Sequence, residues 1–342
     1  MEKSRYIPGF DWVRIIGALL VTMAHFNCFQ TFNSMYPLVY SMVGVVVPTF
    51  FYMSGYLSTR DMDKSKSKIK KQVIKYAAIY LAFEFALVLH DHITEYRETG
   101  MFNTAQFTID YLKCFVDRYK DSYQLWFIPA LLYPMMLNAF LSRKSRKPVI
   151  LATLLVLLAT TANLIDMGAF FERLTAAFPS IEKVFLATEL QRIWVYALEG
   201  LLFTTIGFDI KTWKIRRGYL LLAAIPLIVF ELTVKYVGMA RVLLSLLLFD
   251  GITRLPGQFL RPYHPEISFF SSTLFFMHMS ELLFLQRNLR TNDTTNLLLV
   301  LAVHAFATVI LWYCRRKSKK QKVIGIAENG FQQNNSTVSG YL

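Results

Sequence analysis

Residues 10–26 read FDWVRIIGALLVTMAHF, from Phe10 to Phe26. Apart from Asp11, Arg14, Thr22 and His25 the stretch is built of apolar and small residues. It is the first of a series of apolar blocks of about twenty residues, each long enough to cross a hydrocarbon core of roughly 30 Å. Composition agrees: hydrophobic residues make up 54% of the chain and charged ones 18%, with a mean hydropathy of +0.37. A soluble domain of this size carries more charge. Backbone groups in lipid must be satisfied within the segment, so the blocks read as helices. The expected fold class is all-α, a polytopic membrane bundle of about ten transmembrane helices.

Apolar blocks bounded by breakers place these helices near 11–30, 38–58, 74–92, 123–142, 149–166, 191–209, 218–236, 239–253, 267–286 and 295–314. Basic residues cluster between them: Arg60 to Lys75, Arg143 to Lys147, Lys211 to Arg217, Arg254 with Arg261, and Arg315 to Lys322. Lys and Arg are retained beside cytoplasmic helix ends. With ten spans all five clusters fall on one face, which places both termini in the cytoplasm. The first apolar run lacks a small-residue cleavage site and is expected to remain as the first helix. Residues 1–322 read as one transmembrane domain. Residues 323–342, rich in Asn, Gln, Ser and Gly, read as a disordered cytoplasmic tail.

On the opposite face, Phe107, Tyr111, Phe115 and Tyr119 recur at helical spacing within 93–122, the pattern of an interfacial amphipathic helix. A second outer loop is expected over 167–190. The net charge of +14 does not indicate nucleic acid, because the basic residues sit in short clusters between apolar blocks. Cys28, Cys114 and Cys314 lie far apart, without the spacing of a zinc site or a disulfide framework, and no metal is expected.

Ionisable groups inside spans are costly and mark functional candidates. Arg14 and His25 are eleven positions apart, which is three helical turns plus about 20°, so they share a face with about 16 Å of axial separation. Asp11 lies one turn before Arg14 and can pair with it. A histidine held away from bulk water stays neutral, and its free ring nitrogen can take a proton from an attacking hydroxyl. An arginine near the cytoplasmic mouth offers a fork of donors to a phosphate or carboxylate. The structural alternative is a snorkelling arginine and a histidine that ties two helices.

Several motifs then resemble one family in order along the chain. Arg14, ten intervening residues and His25 are similar to the opening motif of the membrane-bound acyltransferase-3 family. PTFFYMSGYLSTR resembles its FF-x-x-SG-[FY]-L element in Phe50, Phe51, Ser54, Gly55, Tyr56 and Leu57. KKQVIKYAAIYL is similar to its basic entry into the third helix, LWFIPALL to a segment opening the fourth, and SFFSSTLFFMHM to a late S-x-x-x-[FY]-x-x-H element ending in His278. The resemblance implies transfer of an acyl group, usually acetyl, from cytoplasmic acyl-CoA to a hydroxyl of an extracytoplasmic glycan or lipid-linked glycan. His25 is then the catalytic candidate and Arg14 its motif partner. Where the family shows paired arginines this chain has Lys71 and Lys75, which keep the charge but lose the bidentate fork.

Four further residues join the list with a bland reading beside each. Glu84 can orient His25 or bind the acceptor, or make a structural hydrogen bond. His278 and Ser54 are candidate acceptor contacts, or simply packing, since Ser54 with Gly55 permits close helix approach. Trp126 is a candidate acceptor contact, or an anchor in an aromatic belt. His304 has no motif around it and reads as structural. A different class of function, a transporter or flippase for an amino acid or lipid-linked sugar, would use the same embedded groups. It lacks support from any internal repeat.

Overall fold

The computed structural model describes residues 6–25, 36–59, 65–115, 126–161, 166–178, 187–210, 239–289 and 293–338. Among these every element is helical, as expected. They are α1 Pro8–His25, α2 Tyr36–Ser58, α3 Ser65–Thr99, α4 Thr104–Lys113, α5 Phe127–Phe140, α6 Arg143–Thr161, α7 Met167–Ala177, α8 Ala187–Asp209, α9 Met239–Ile252, a 3-10 turn Gln258–Tyr263, α10 His264–Leu289 and α11 Asp293–Val338. The span expected over 218–236 lies outside the described residues.

Two helices organise the bundle. α8 contacts α2, α5, α6 and α7, and α1 contacts α2, α9 and α10. The closeness of α2 and α8 follows from glycines: a Cβ on Gly55 would lie 2.3 Å from the Thr204 carbonyl oxygen, and one on Gly207 would lie 2.4 Å from that of Tyr52. Small residues let backbones approach where side chains would hold them apart. Around this contact Phe51, Tyr52, Leu202, Phe203 and Phe249 form the main apolar core. At the end of α8 a buried ion pair closes the packing. Arg146 donates to Asp209 at 3.0 Å and to the Leu141 carbonyl at 3.1 Å, with its guanidinium over the Phe208 ring. Arg146 therefore faces inward, unlike the solvated member of a basic cluster that the sequence suggests.

Two helices are long and apolar enough to cross a membrane among the described residues: Ile69–Thr99 and Thr294–Ser318. Only 22% and 17% of their most apolar windows are buried in the protein. On α11 Phe306 is 69% and Val309 59% exposed, a continuous apolar face of the kind that lipid covers. Shorter apolar stretches are Met42–Ser58 within α2, Phe127–Phe140, which is the whole of α5, and Val242–Ile252 within α9. The all-helical fold is thus found, while the count of ten spans exceeds what these lengths establish.

Four boundaries differ from expectation. α3 begins at Ser65, so Lys66 to Lys75 ride on helix rather than in a loop; lysine and glutamine are good helix formers and extend the span. The segment 93–122 divides between the end of α3 and α4, whose start is capped by Asn103 accepting from the Gln106 amide at 3.0 Å. The apolar face of α4 packs in part on α3, with Phe85 edge-on to Phe107 and Tyr111. Residues 167–177, expected as loop, form α7, because Asp166 caps the helix by accepting from Ala169 at 2.9 Å. Finally, α11 carries helical backbone to Val338, through most of the tail that composition assigns to disorder. The Lys and Gln of 317–322, ahead of that tail, favour continuation of the helix out of the last span.

The glycine contact is open to test. Gly55→Ala forces α2 and α8 apart and is expected to cost about 1–3 kcal/mol, read as a lowered midpoint of thermal unfolding in detergent. Gly251→Ala, where a Cβ meets nothing within 4 Å, should leave the midpoint unchanged. Equal losses at both positions would contradict the assignment.

Candidate active site

The site is built along α1. Pro8, with its fixed φ, opens the helix, and Asp11 stands in the first turn. Its carboxylate is fully buried, a costly position unless each oxygen is paired. It is paired three times: the Tyr6 hydroxyl donates at 2.6 Å, Arg14 Nη1 at 3.0 Å, and His264 Nδ1 at 2.8 Å. A carboxylate can only accept, so His264 carries its hydrogen on Nδ1. The 3.5 Å approach of Arg14 Nη1 to that nitrogen is then a contact between two donors sharing one acceptor. Burial, and then the hydrogen bond to Asp11, push the Tyr6 phenol well above its ordinary value, which keeps it a donor.

Arg14 also lines a cavity of about 210 Å³ enclosed by α1, α2, α3, α5 and α10. Its walls are mainly apolar: Ala18 from α1, Phe50, Met53 and Leu57 from α2, Phe127, Ile128, Leu131 and Met135 from α5, and Phe275 from α10. Polar groups enter as Ser54, Gln72, Tyr76, Ser271 and Ser272. An apolar pocket with a few placed polar groups is the usual form of a small-molecule site. The helical periods explain the convergence: Arg14 and Ala18 are one turn apart on α1, as are Gln72 and Tyr76 on α3, and Ser271 and Phe275 on α10.

His25 stands two turns beyond Ala18 at the other end of α1. Its ring lies 5.3 Å, centroid to centroid, from that of His278 on α10. His278 is fully buried, and its Nδ1 donates to the Leu274 carbonyl at 2.8 Å. In the neutral ring that leaves Nε2 as the acceptor, and Nε2 is buried with no hydrogen-bond partner among the described residues. Phe275, a cavity wall, lies 6.4 Å from the His278 ring and so joins the two regions.

The other sequence candidates are placed as follows. Ser54 lines the cavity while its hydroxyl donates to the Phe50 carbonyl at 2.8 Å. Lys71 and Lys75 are exposed on α3, each next in sequence to a cavity residue, Gln72 or Tyr76, and neither lines the cavity. Glu84 is fully buried on α3, one turn after Tyr80, and is not among the cavity residues. Trp126 stacks on Tyr196 with centroids 4.1 Å apart, outside the cavity wall. His304 links α11 to α10 through Thr273 Oγ1 at 3.1 Å and Glu281 Oε2 at 2.9 Å. Sequence reasoning missed Tyr6, His264, Gln72 and the serine pair 271–272. Only the pair carried a signal, since it lies in the motif that ends at His278.

The orphaned nitrogen of His278 has a measurable consequence. The group donates only to a carbonyl of its own helix, so His278→Leu removes a buried unpaired acceptor and loses no tie between helices. The thermal midpoint in detergent is expected to hold or rise, as it does where a residue is kept at some cost to stability. A large fall would instead mark His278 as a packing residue.

A family model described as an acyltransferase domain matches residues 7–329, which takes in every helix of the site from α1 to α11. No match is found among the curated proteins or among the solved structures. The matched span holds the ordered motifs of α1, α2, α3, α5 and α10, and those are the helices that enclose the cavity. The chain belongs to the acyltransferase-3 family.

Proposed function

We propose that this acyltransferase is an integral membrane protein with about ten spans that moves an acyl group, acetyl in the first instance, from cytoplasmic acyl-CoA to a hydroxyl. The acceptor is an extracytoplasmic carbohydrate or lipid-linked glycan, the membrane is the bacterial cytoplasmic membrane, and both termini are cytoplasmic. The observation that carries the reading is the alignment on α1: Arg14 at the cavity wall, and two turns past Ala18 an imidazole facing a second imidazole.

The chemistry runs in one line. The thioester enters with its phosphates beside Arg14, whose planar fork suits them. A cavity of about 210 Å³ is smaller than the roughly 300–1,000 Å³ of a pocket for a drug-sized ligand. It therefore takes the thioester arm and leaves the adenosine diphosphate at the mouth. The acceptor hydroxyl oxygen attacks the carbonyl carbon as His25 takes its proton. The carbon–sulfur bond breaks, the thiolate leaves, and the proton on His25 passes to it, restoring the neutral ring and releasing coenzyme A. Ser54 and His278 contact the acceptor, and Lys71 and Lys75 add long-range attraction for the polyanionic donor. Glu84 orients the catalytic end, and Trp126 anchors the outer part of α5. No feature of the described residues favours the alternative of a transporter or flippase.

Purified protein in nanodiscs, supplied with labelled acetyl-CoA and a cell-envelope glycan fraction, tests the assignment. His25→Ala and His25→Gln are each expected to lower transfer by about 10²–10⁴-fold, the span of general-base catalysis, in protein that remains folded. Full activity in both variants would overturn the role of His25.

A further inference from the structure

The arrangement around Asp11 goes beyond a paired charge. Arg14 gives Nη1 to Asp11, and its Nη2 and Nε have no hydrogen-bond partner among the described residues, although Arg14 lines the cavity. The planar fork is thus held by one corner while its other donors remain for a ligand. What holds that corner is a carboxylate with no exposure of its own, fixed from two other directions by Tyr6 and by His264. His264 is the first residue of α10, 250 positions from Arg14, and its side chain is 44% exposed. The loop before it is docked on the same helix: Trp12 Nε1 donates to the Pro256 carbonyl, and Gly257, at φ +142°, lies against Trp12 and Pro8. The start of α10 and the start of α1 are therefore bound together through one carboxylate.

We propose that His264 is a positioning residue for donor binding. Through Nδ1 and Asp11 it fixes the plane of the Arg14 guanidinium, so that Nη2 and Nε meet the phosphate oxygens of the coenzyme A donor. The inference rests on the acyl-CoA reading above. It assigns the anion-binding step to a seat made by Asp11, Tyr6 and His264, rather than to the exposed Lys71 and Lys75 of α3. Bidentate recognition of phosphate depends on the orientation of the guanidinium plane, which a lone point charge does not supply.

Three variants separate this role from its rivals. The amide nitrogen of asparagine reaches the place of Nδ1, and that of glutamine reaches the place of Nε2. His264→Ala loses a hydrogen bond to a charged group, so KM for acetyl-CoA should rise about ten- to a hundredfold, with kcat changing less. His264→Asn should restore KM to near the wild-type value, and His264→Gln should not. S-acetyl-pantetheine, which lacks the adenosine diphosphate and its phosphates, should be used equally by wild type and His264→Ala. Rescue by Gln and not by Asn would overturn the proposal, because His264 would then meet the donor through Nε2. Unchanged KM in all three would overturn it as well. Should His264→Ala fail to fold, the contrast between the near-isosteric Asn and Gln variants decides alone. Calorimetric titration with coenzyme A itself separates this proposal from the reading on which it rests. Wild type that transfers nothing, yet binds coenzyme A with the same order among variants, sinks the transfer reading and supports the seat; no binding by wild type sinks both.

Discussion

A carboxylate buried without exposure in a chain rich in apolar surface is the constraint on which the rest of this structure turns. Asp11 is tolerated because Tyr6, Arg14 and His264 all donate to it. Removing any one donor leaves part of a buried charge uncompensated, which is why such groups come as networks. Meeting that requirement draws the start of α10 onto the start of α1 and sets Arg14 against the cavity. From there the register of two helices does the remaining work. The α1 period carries the Arg14 face through Ala18 to His25, and the α10 period carries Ser271 and Phe275 along the wall with His278 a turn farther on.

The two ends of α1 differ in their chemistry. Around Arg14 the partners are charged and open to solvent at His264, a setting for an anion that arrives from water. Around His278 the ring is enclosed and one nitrogen has no donor among the described residues, a setting for a hydroxyl that brings its own proton. Between them the wall is apolar, with Ser54 and Ser271 as isolated polar points. That gradient, from a charged mouth to one enclosed imidazole, suits the proposed pairing of a polyanionic donor with a neutral hydroxyl. The apolar windows of α3 and α11 are largely unburied by protein, as faces that meet lipid would be.

Much of this was legible in the chain and some was not, for physical reasons. Arg14 and His25 sharing a face follows from the helical period, and the motif that ends at His278 pointed to the residue found beside His25. A period fixes which face a residue occupies but not what meets it, so the contact between Asp11 and His264, 253 positions away, had no sequence signal. Lys71 and Lys75 stand where the resembled motif has paired arginines, yet the helix turns Gln72 and Tyr76 into the cavity in their stead. The helix at Met167–Ala177 has a local cause in the chain, because Asp166 is a good N-cap ahead of an amphipathic run, although the segment reads as an outer loop from its place between apolar blocks. The span count is the weakest transfer from sequence to structure, because apolar blocks such as Phe127–Phe140 become helices shorter than a bilayer crossing.

The central claim is directional: the donor is used from the side of the basic clusters and Arg14, and the acyl group emerges toward His25 and His278. Sealed membrane vesicles of the two orientations, given membrane-impermeant labelled acetyl-CoA on the outside only, test this directly. Inside-out vesicles, with the cytoplasmic face outward, are expected to incorporate label into glycan, and right-side-out vesicles only after permeabilisation. Incorporation by intact right-side-out vesicles with none by inside-out ones would contradict the account.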